Sequence, residues 1–246
     1  MSCPPAVSHP RPLAVFQMGS PPDDLRHAHG EQSDWIIAAL GDLGGRPVQV
    51  VNPLQAGQLP AHHELAGAVF SGSWSMVTER LAWSEHTAQW IREAMAIGLP
   101  LLGICYGHQL MAHALGGVVD YHPRGREVGQ QPVHLSAMAR HDPLLDGFPD
   151  TFRANLTHEQ SVLTPPPGAV VLAHSAHDPH QILRYGPQAL SVQFHPEFFP
   201  ELMQACLVRR EDTLREEGFD VQSMCAALGP TPQAREVLRR FAGQLG

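Results

Sequence analysis

The sequence predicts an α/β fold: an open, mostly parallel sheet flanked by helices, with additional antiparallel strands and a helical C-terminal extension. Three observations carry this. Short apolar runs alternate with helix-period segments through the first half of the chain. From Val118 to Val192 the extended runs shorten and follow one another without helices between them. Beyond Phe199 the pattern is helical almost to the end.

Each element has its own warrant. LAVFQM at 13–18 is a short apolar run of the kind a buried strand shows, and EQSDWIIAALGDLGG at 31–45 is a helix pattern closing on glycines. PVQVV at 47–51 is the next strand, and the apolar run ending at Phe70 is another, passing into the small turn residues Ser71, Gly72 and Ser73. From Trp83 to Ile97 the residues Trp83, Trp90, Ile91, Ala94 and Ile97 fall at helical spacing. LPLLGI at 99–104 is a strand, and YGHQLMAHALGG begins a short helix stopped by Gly116 and Gly117. Strand, helix and strand in this alternation are what parallel pairing with crossover helices requires. PVHLSAM, AVVLAHS and QALSVQF, separated by Pro, Gly and Asp turns, are read as the strands that add antiparallel pairing. Residues 199–217 are helical in character, GPTP at 229–232 breaks the pattern, and PQAREVLRRFAGQL is a final amphipathic helix.

With 246 residues, 43% hydrophobic and 16% charged, the chain is expected to form one domain over 1–246. It would have a proline-rich lead-in at 1–12 and the helical extension at 202–246. A net charge of -8 gives no electrostatic reason for nucleic acid as a partner. All 16 basic residues are Arg, so a Lys-based phosphate loop and Schiff-base chemistry are both excluded for this sequence. Cys3, Cys105, Cys206 and Cys225 have no CxxC spacing, which suggests neither zinc nor a disulfide framework and fits a reducing cytoplasm. No signal peptide and no membrane span are expected, because no stretch stays apolar for about 18 residues.

One short segment concentrates the chemistry. In GICYG, Gly103 and Gly107 flank Cys105 at a strand-to-helix junction, as glycines flank serine in a nucleophile elbow. A thiol at a helix N-terminus feels the positive end of the helix dipole, which favours the thiolate. QFHPEF supplies a base: in an extended segment His195 and Glu197, two residues apart, project to one side, so the carboxylate can orient the imidazole. Acyl transfer also needs oxyanion donors. The N–H of Tyr106 is one, and a second can come from the turn at Ser71, Gly72 and Ser73.

Together, LLGICYGHQLMAHALGG, SVQFHPEF and AVFSGS resemble the class I (triad-type) glutamine amidotransferase family over roughly residues 13–200. Within it the sequence is most similar to stand-alone proteins related to the amidotransferase domain of GMP synthase. The resemblance implies a flavodoxin-like open sheet and a Cys105–His195–Glu197 triad that hydrolyses the glutamine side-chain amide through a γ-glutamyl thioester. It further implies oxyanion donors at Gly72 and Tyr106 and glutamine contacts at Gln109 and at His158 in THEQSV; no cofactor or metal is expected. SGS followed by Trp74 replaces the commoner SGG-Pro, a departure at the oxyanion turn.

A GMP synthase continues into an ATP-pyrophosphatase domain, and this sequence holds no such region. Ammonia is therefore expected to pass to a separate synthetase subunit or to be released. Two other functions stay open at this level: a γ-glutamyl peptidase or hydrolase acting on γ-glutamyl conjugates, and a non-catalytic regulatory or binding subunit that kept the fold. Relative turnover of glutamine and γ-glutamyl peptides separates the first from a glutaminase; covalent labelling of Cys105 by a glutamine-analogue electrophile separates the second.

Overall fold

Four strands buried along their whole length build the centre of the sheet: β1 (Leu13–Phe16), β3 (Gly67–Phe70), β4 (Leu101–Ile104) and β11 (Ala189–Val192). With the edge strand β2 (Val48–Val51) they pair in parallel. The structure, a computed structural model, describes residues 10–245; most of the proline-rich lead-in and Cys3 lie outside the described residues. Among those described, the main sheet has nine strands in the order β2-β1-β3-β4-β11-β10-β9-β6-β7. The last four are β10 (Ile182–Gly186), β9 (Val170–His174), β6 (Glu127–Leu135) and β7 (Thr151–His158), all antiparallel to their neighbours. A separate two-stranded antiparallel sheet pairs β5 (Val118–Tyr121) with β8 (Gln160–Thr164).

The buried strands alternate their side chains between two cores, as the two-residue period demands. Leu13, Val15, Val69, Leu102 and Ile104 face α2 (Gln32–Leu40) and α8 (Pro232–Gly243), through Ile36, Leu40, Leu238 and Phe241. Ala14, Phe16, Ala68, Phe70 and Leu101 face α3 (Ala82–Ala96) and α4 (Tyr106–Ala114), through Trp90, Ile91 and Met111. A third cluster joins Trp35 and Phe198 to α5 (Pro200–Arg209), α6 (Glu211–Glu216) and α7 (Val221–Ala226).

Three expectations need correction. The helix read over 31–45 ends at Leu40, because Gly41 takes φ 77 and the next residues turn. The run QALSVQF, read with the antiparallel strands, contributes β11, which is antiparallel only to β10 and parallel to β4. The helical stretch 199–217 is two helices, since Arg210 leaves helical geometry at φ -107, ψ 16 and the acidic Glu211 and Asp212 start a new first turn. A short helix, α1 (Asp23–His29), has no counterpart in the expected pattern.

Close contact between α4 and the sheet depends on two glycines. A Cβ on Gly103 would stand 2.5 Å from the Gly107 carbonyl oxygen, and a Cβ on Gly107 would stand 2.5 Å from that of Phe70. Both obstacles are backbone and cannot rotate away. Gly107→Ala is therefore expected to cost about 1–3 kcal/mol of stability, as overpacking does, read as a lower urea midpoint at unchanged m-value.

Candidate active site

Cys105 follows β4 and forms the N-cap of α4 with φ 50 and ψ -100, a conformation L-residues rarely adopt. Arg80 is the one other non-glycine residue with positive φ among those described, and it caps a 3-10 turn. The strain at Cys105 is held from both sides. Its N–H bonds to the Val192 carbonyl on β11, and the Gly107 N–H bonds to the Ser71 carbonyl after β3. The thiol is 7% exposed yet lines two cavities, so the sharp bend presents it to open space instead of packing it away.

His195 lies just beyond β11, the strand paired with β4, so both groups emerge at neighbouring carboxyl ends of the parallel sheet, where open α/β sheets bind ligands. The expected pairing is present, with Nδ1 of His195 2.7 Å from Oε1 of Glu197. The local geometry differs from the expectation, however. His-Pro-Glu-Phe is a turn, not an extended segment: β11 ends at Val192, and the Phe198 N–H reaches the His195 carbonyl at 3.4 Å. Pro196 explains this, since its fixed φ suits the second position of a turn and it has no N–H for a ladder. The residue is further held by its main-chain N–H, which donates to the Asn155 carbonyl on β7 (2.8 Å), and its ring by stacking on Phe198 at 4.1 Å.

The thiol and imidazole shift each other's titration. Nε2 of His195 is buried and has no partner by strict hydrogen-bond geometry, yet it lies near enough to the Cys105 sulfur for mutual stabilisation. Burial alone would raise the Cys105 thiol; positive charge on His195, and secondarily on His158, more than offsets it and leaves the thiol below its ordinary range. Burial likewise opposes charge on His195, but the Glu197 carboxylate and the Cys105 thiolate push it up to about 10. These directions favour the thiolate–imidazolium form of the pair over the neutral one. Oε2 of Glu197 is buried without a partner, so the carboxylate's charge is compensated chiefly by that imidazolium.

The expected oxyanion donors sit beside the sulfur. A Cβ on Gly72 would lie 3.7 Å from the Cys105 Cβ and 3.0 Å from the His195 ring, so a side chain there would crowd the reacting groups. Ser71 fixes the turn, its hydroxyl donating to the Gly72 carbonyl (2.7 Å) and accepting from the Met18 N–H (2.9 Å). Neither the Gly72 nor the Tyr106 N–H meets a protein acceptor among the described residues. The Tyr106 ring is packed away: its hydroxyl bonds Ser84 at 2.7 Å, and burial pushes its pKa up to about 12.

Gln109, one turn into α4, gives both amide hydrogens to protein acceptors, the Gln160 carbonyl (2.6 Å) and Gln193 Oε1 (3.0 Å); its carbonyl oxygen is the group left for a ligand. His158 is more deeply engaged than a substrate contact requires. Nε2 meets Glu127 Oε2 at 3.0 Å and Nδ1 meets the Gln160 carbonyl at 3.0 Å, so the ring has no nitrogen free for a ligand. Burial opposes charge on this ring, yet the Glu127 bond and the Asp178 carboxylate raise its pKa overall. With acceptors on both ring nitrogens, these surroundings favour the charged form of the buried ring, which in turn favours a thiolate on Cys105. Glu127, His158 and Asp178 also present ligand atoms within 4.8 Å of one another, a spacing that fits a metal. Glu127 already accepts from Ser175 and Gln181, so the group is a hydrogen-bonded charge network as it stands. Sequence reading missed Glu127, because it reaches His158 only through the β6–β7 register.

Cys105 stands between two cavities. One is lined by Gln109, His158, Glu159 and Gln160 on the α4–β8 side. The other is lined by His195, Gly72, Trp35 and Phe198. Ser73, Trp74, Thr157 and Arg210 border both.

Comparison with known proteins places this architecture. The profile of the class-I glutamine amidotransferase family matches residues 29–211. The chain belongs to that family, whose enzymes are of the glutamine amidohydrolase type. It is 34% identical over 176 residues to the glutamine-hydrolysing GMP synthase of Nostoc sp., covering 67% of this chain and 30% of that protein. The corresponding enzyme of Aeropyrum pernix is 36% identical over 132 residues, covering 54% of this chain and 24% of that one. The chain thus spans about a quarter to a third of these relatives' lengths. A solved glutamine amidotransferase from Thermotoga maritima shares the fold at a TM-score of 0.74 and 20% identity, covering 95% of this chain and 98% of the other.

Proposed function

We propose that this chain hydrolyses the side-chain amide of glutamine to glutamate and ammonia, with Cys105 as nucleophile, His195 as acid and base, and Glu197 as the group that orients and charges the imidazole. The observation that carries this is the strained Cys105 at the start of α4, beside the His195–Glu197 pair. The thiolate attacks the amide carbon, and the N–H groups of Gly72 and Tyr106 receive the oxyanion. The C–N bond breaks as His195 gives its proton to the leaving nitrogen, leaving a γ-glutamyl thioester. Water then attacks, His195 takes its proton, and the thiolate returns with glutamate. Ammonia passes to a separate synthetase subunit, as the GMP synthase relatives suggest, or escapes to solvent. A reducing cytoplasm suits an enzyme that needs a free thiol, and among the described residues no helix is long and apolar enough to cross a membrane.

Labelling with a glutamine-analogue diazo-ketone tests this reading. Because its thiolate is stabilised, Cys105 is expected to be alkylated faster than a free cysteine at the same pH, with the rate falling as pH drops through the lowered thiol pKa. Cys206, pushed up to about 12 by burial, and Cys225, also raised by burial, stay unlabelled in the same buffer. Mass spectrometry locating no adduct on Cys105 under conditions where free cysteine reacts would refute the assignment.

A further inference from the structure

Gln193 takes no part in the chemistry above, yet its side chain joins the two elements that carry the reacting pair. It follows β11 directly and is fully buried, its main-chain N–H donating to the Gln181 carbonyl at 2.9 Å. Its Oε1 accepts from Nε2 of Gln109 at 3.0 Å. Gln109 stands one helical turn past Cys105, with its own main-chain N–H on the Cys105 carbonyl at 3.0 Å, and lines the cavity at the thiol beside His158 and Glu159. The Gln109–Gln193 bond therefore ties α4, which Cys105 caps, to the strand end that leads into His195.

An amide side chain can present either its oxygen or its nitrogen to a ligand, and its fixed neighbours decide which. At Gln109 both neighbours are acceptors. The Gln160 carbonyl takes one N–H at 2.6 Å but also meets Nδ1 of His158 at 3.0 Å, so it is shared, whereas Oε1 of Gln193 serves Gln109 alone among the described residues. Reversing the Gln109 amide would set oxygen against oxygen at both contacts. Gln193 itself is a costly residue to bury. Its Nε2 has no partner, and neither does Oε1 of Gln181, the residue opposite it. An apolar side chain of the same length would remove the first of these penalties. Packing thus gives no reason for an amide at 193; the acceptor it offers Gln109 does.

We infer that Gln193 is a positioning residue: by accepting from Gln109 it turns the Gln109 carbonyl oxygen toward the cavity at Cys105, where that oxygen receives an N–H group of the bound substrate. The inference rests on the catalytic reading above and adds to it a residue that touches neither the substrate nor the reacting atoms. A contact made equally in the bound substrate and in the transition state raises KM when it is lost and leaves kcat alone. The effect of Gln193 therefore belongs in KM.

The test is a double-mutant cycle on glutamate release from glutamine, with Gln193→Met and Gln109→Met. Methionine matches glutamine in length, and the acceptor lost to Gln109 is offset by removal of the unpartnered Nε2, so the urea midpoint of Gln193→Met is expected to stay near the parent's. Its KM for glutamine is expected to rise about tenfold, with kcat within about twofold of the parent. In the Gln109→Met background the same substitution is expected to add less than about twofold, because it acts through Gln109. Gln193→Glu, which keeps an acceptor at the same reach, should recover most of the loss. If Gln193→Met fails to fold, Gln193→Asn, too short to reach Gln109, closes the same cycle. An unchanged KM, a loss of equal size with and without Gln109, or a Gln193→Glu variant no better than Gln193→Met would overturn the inference while the parent's turnover still stands. A parent that releases no glutamate from glutamine would overturn the catalytic reading, and this inference with it.

Discussion

Cys105→Ala is expected to yield a folded protein whose glutamate release from glutamine is lower by a factor on the order of 10⁵–10⁶, the usual cost of deleting a covalent nucleophile. The residual rate would come from oxyanion donors and binding alone. Coupled-enzyme detection of glutamate, with a far-ultraviolet spectrum matching the parent, checks it, and a variant retaining even a hundredth of the parent rate would rule out the covalent role. A companion variant separates geometry from chemistry. Alanine keeps the Cβ that makes φ 50 unfavourable, whereas glycine does not. Cys105→Gly should therefore be as inactive as Cys105→Ala but more stable by about 1 kcal/mol, seen as a higher urea midpoint. An alanine variant at least as stable as the glycine one would mean that the bend carries no strain.

Much of this site is legible in the sequence because its chemistry is local. The elbow needs small residues at 103 and 107, and the backbone that a Cβ would strike at each position is the physical content of those glycines. His195 and Glu197 are two residues apart, so their proximity survives the mistake of reading a proline-bent turn as a strand. What the sequence conceals is whatever depends on register or on a helix end. Glu127 and His158 are cross-strand partners on β6 and β7, and nothing in the spacing of 127 and 158 reveals that they face one another. Arg210 reaches the cavity because the helical pattern of 199–217 breaks there, and a continuous amphipathic reading hides the break. Gln32 and Trp35 begin a helix whose periodicity marks a buried face without saying that part of it borders open space. Residues 212–245 lie beyond the family match, yet Leu238 and Phe241 of α8 complete the core against α2 and β7.

Glu197→Gln carries the second large effect, and its sign follows from the electrostatics. Burial works against charge on His195, and the Glu197 carboxylate is the strongest influence opposing it. Neutralising that carboxylate removes the support that holds the imidazolium up to about 10, so the ring's pKa must fall. The imidazolium is the proton donor to the leaving nitrogen. Activity in the parent is thus retained above neutrality and lost as pH climbs toward the imidazolium pKa, while at the acid end it is lost as the thiolate is protonated. In Glu197→Gln the alkaline limb moves to lower pH. At neutral pH kcat falls on the order of 10²–10⁴-fold, since an amide can also present its NH₂ to Nδ1 and favour the wrong tautomer. Full pH–rate profiles of parent and variant decide the matter. A variant that keeps the parent's alkaline limb would show that Glu197 only packs beside the ring, because a structural role alone lowers the rate without moving the pKa.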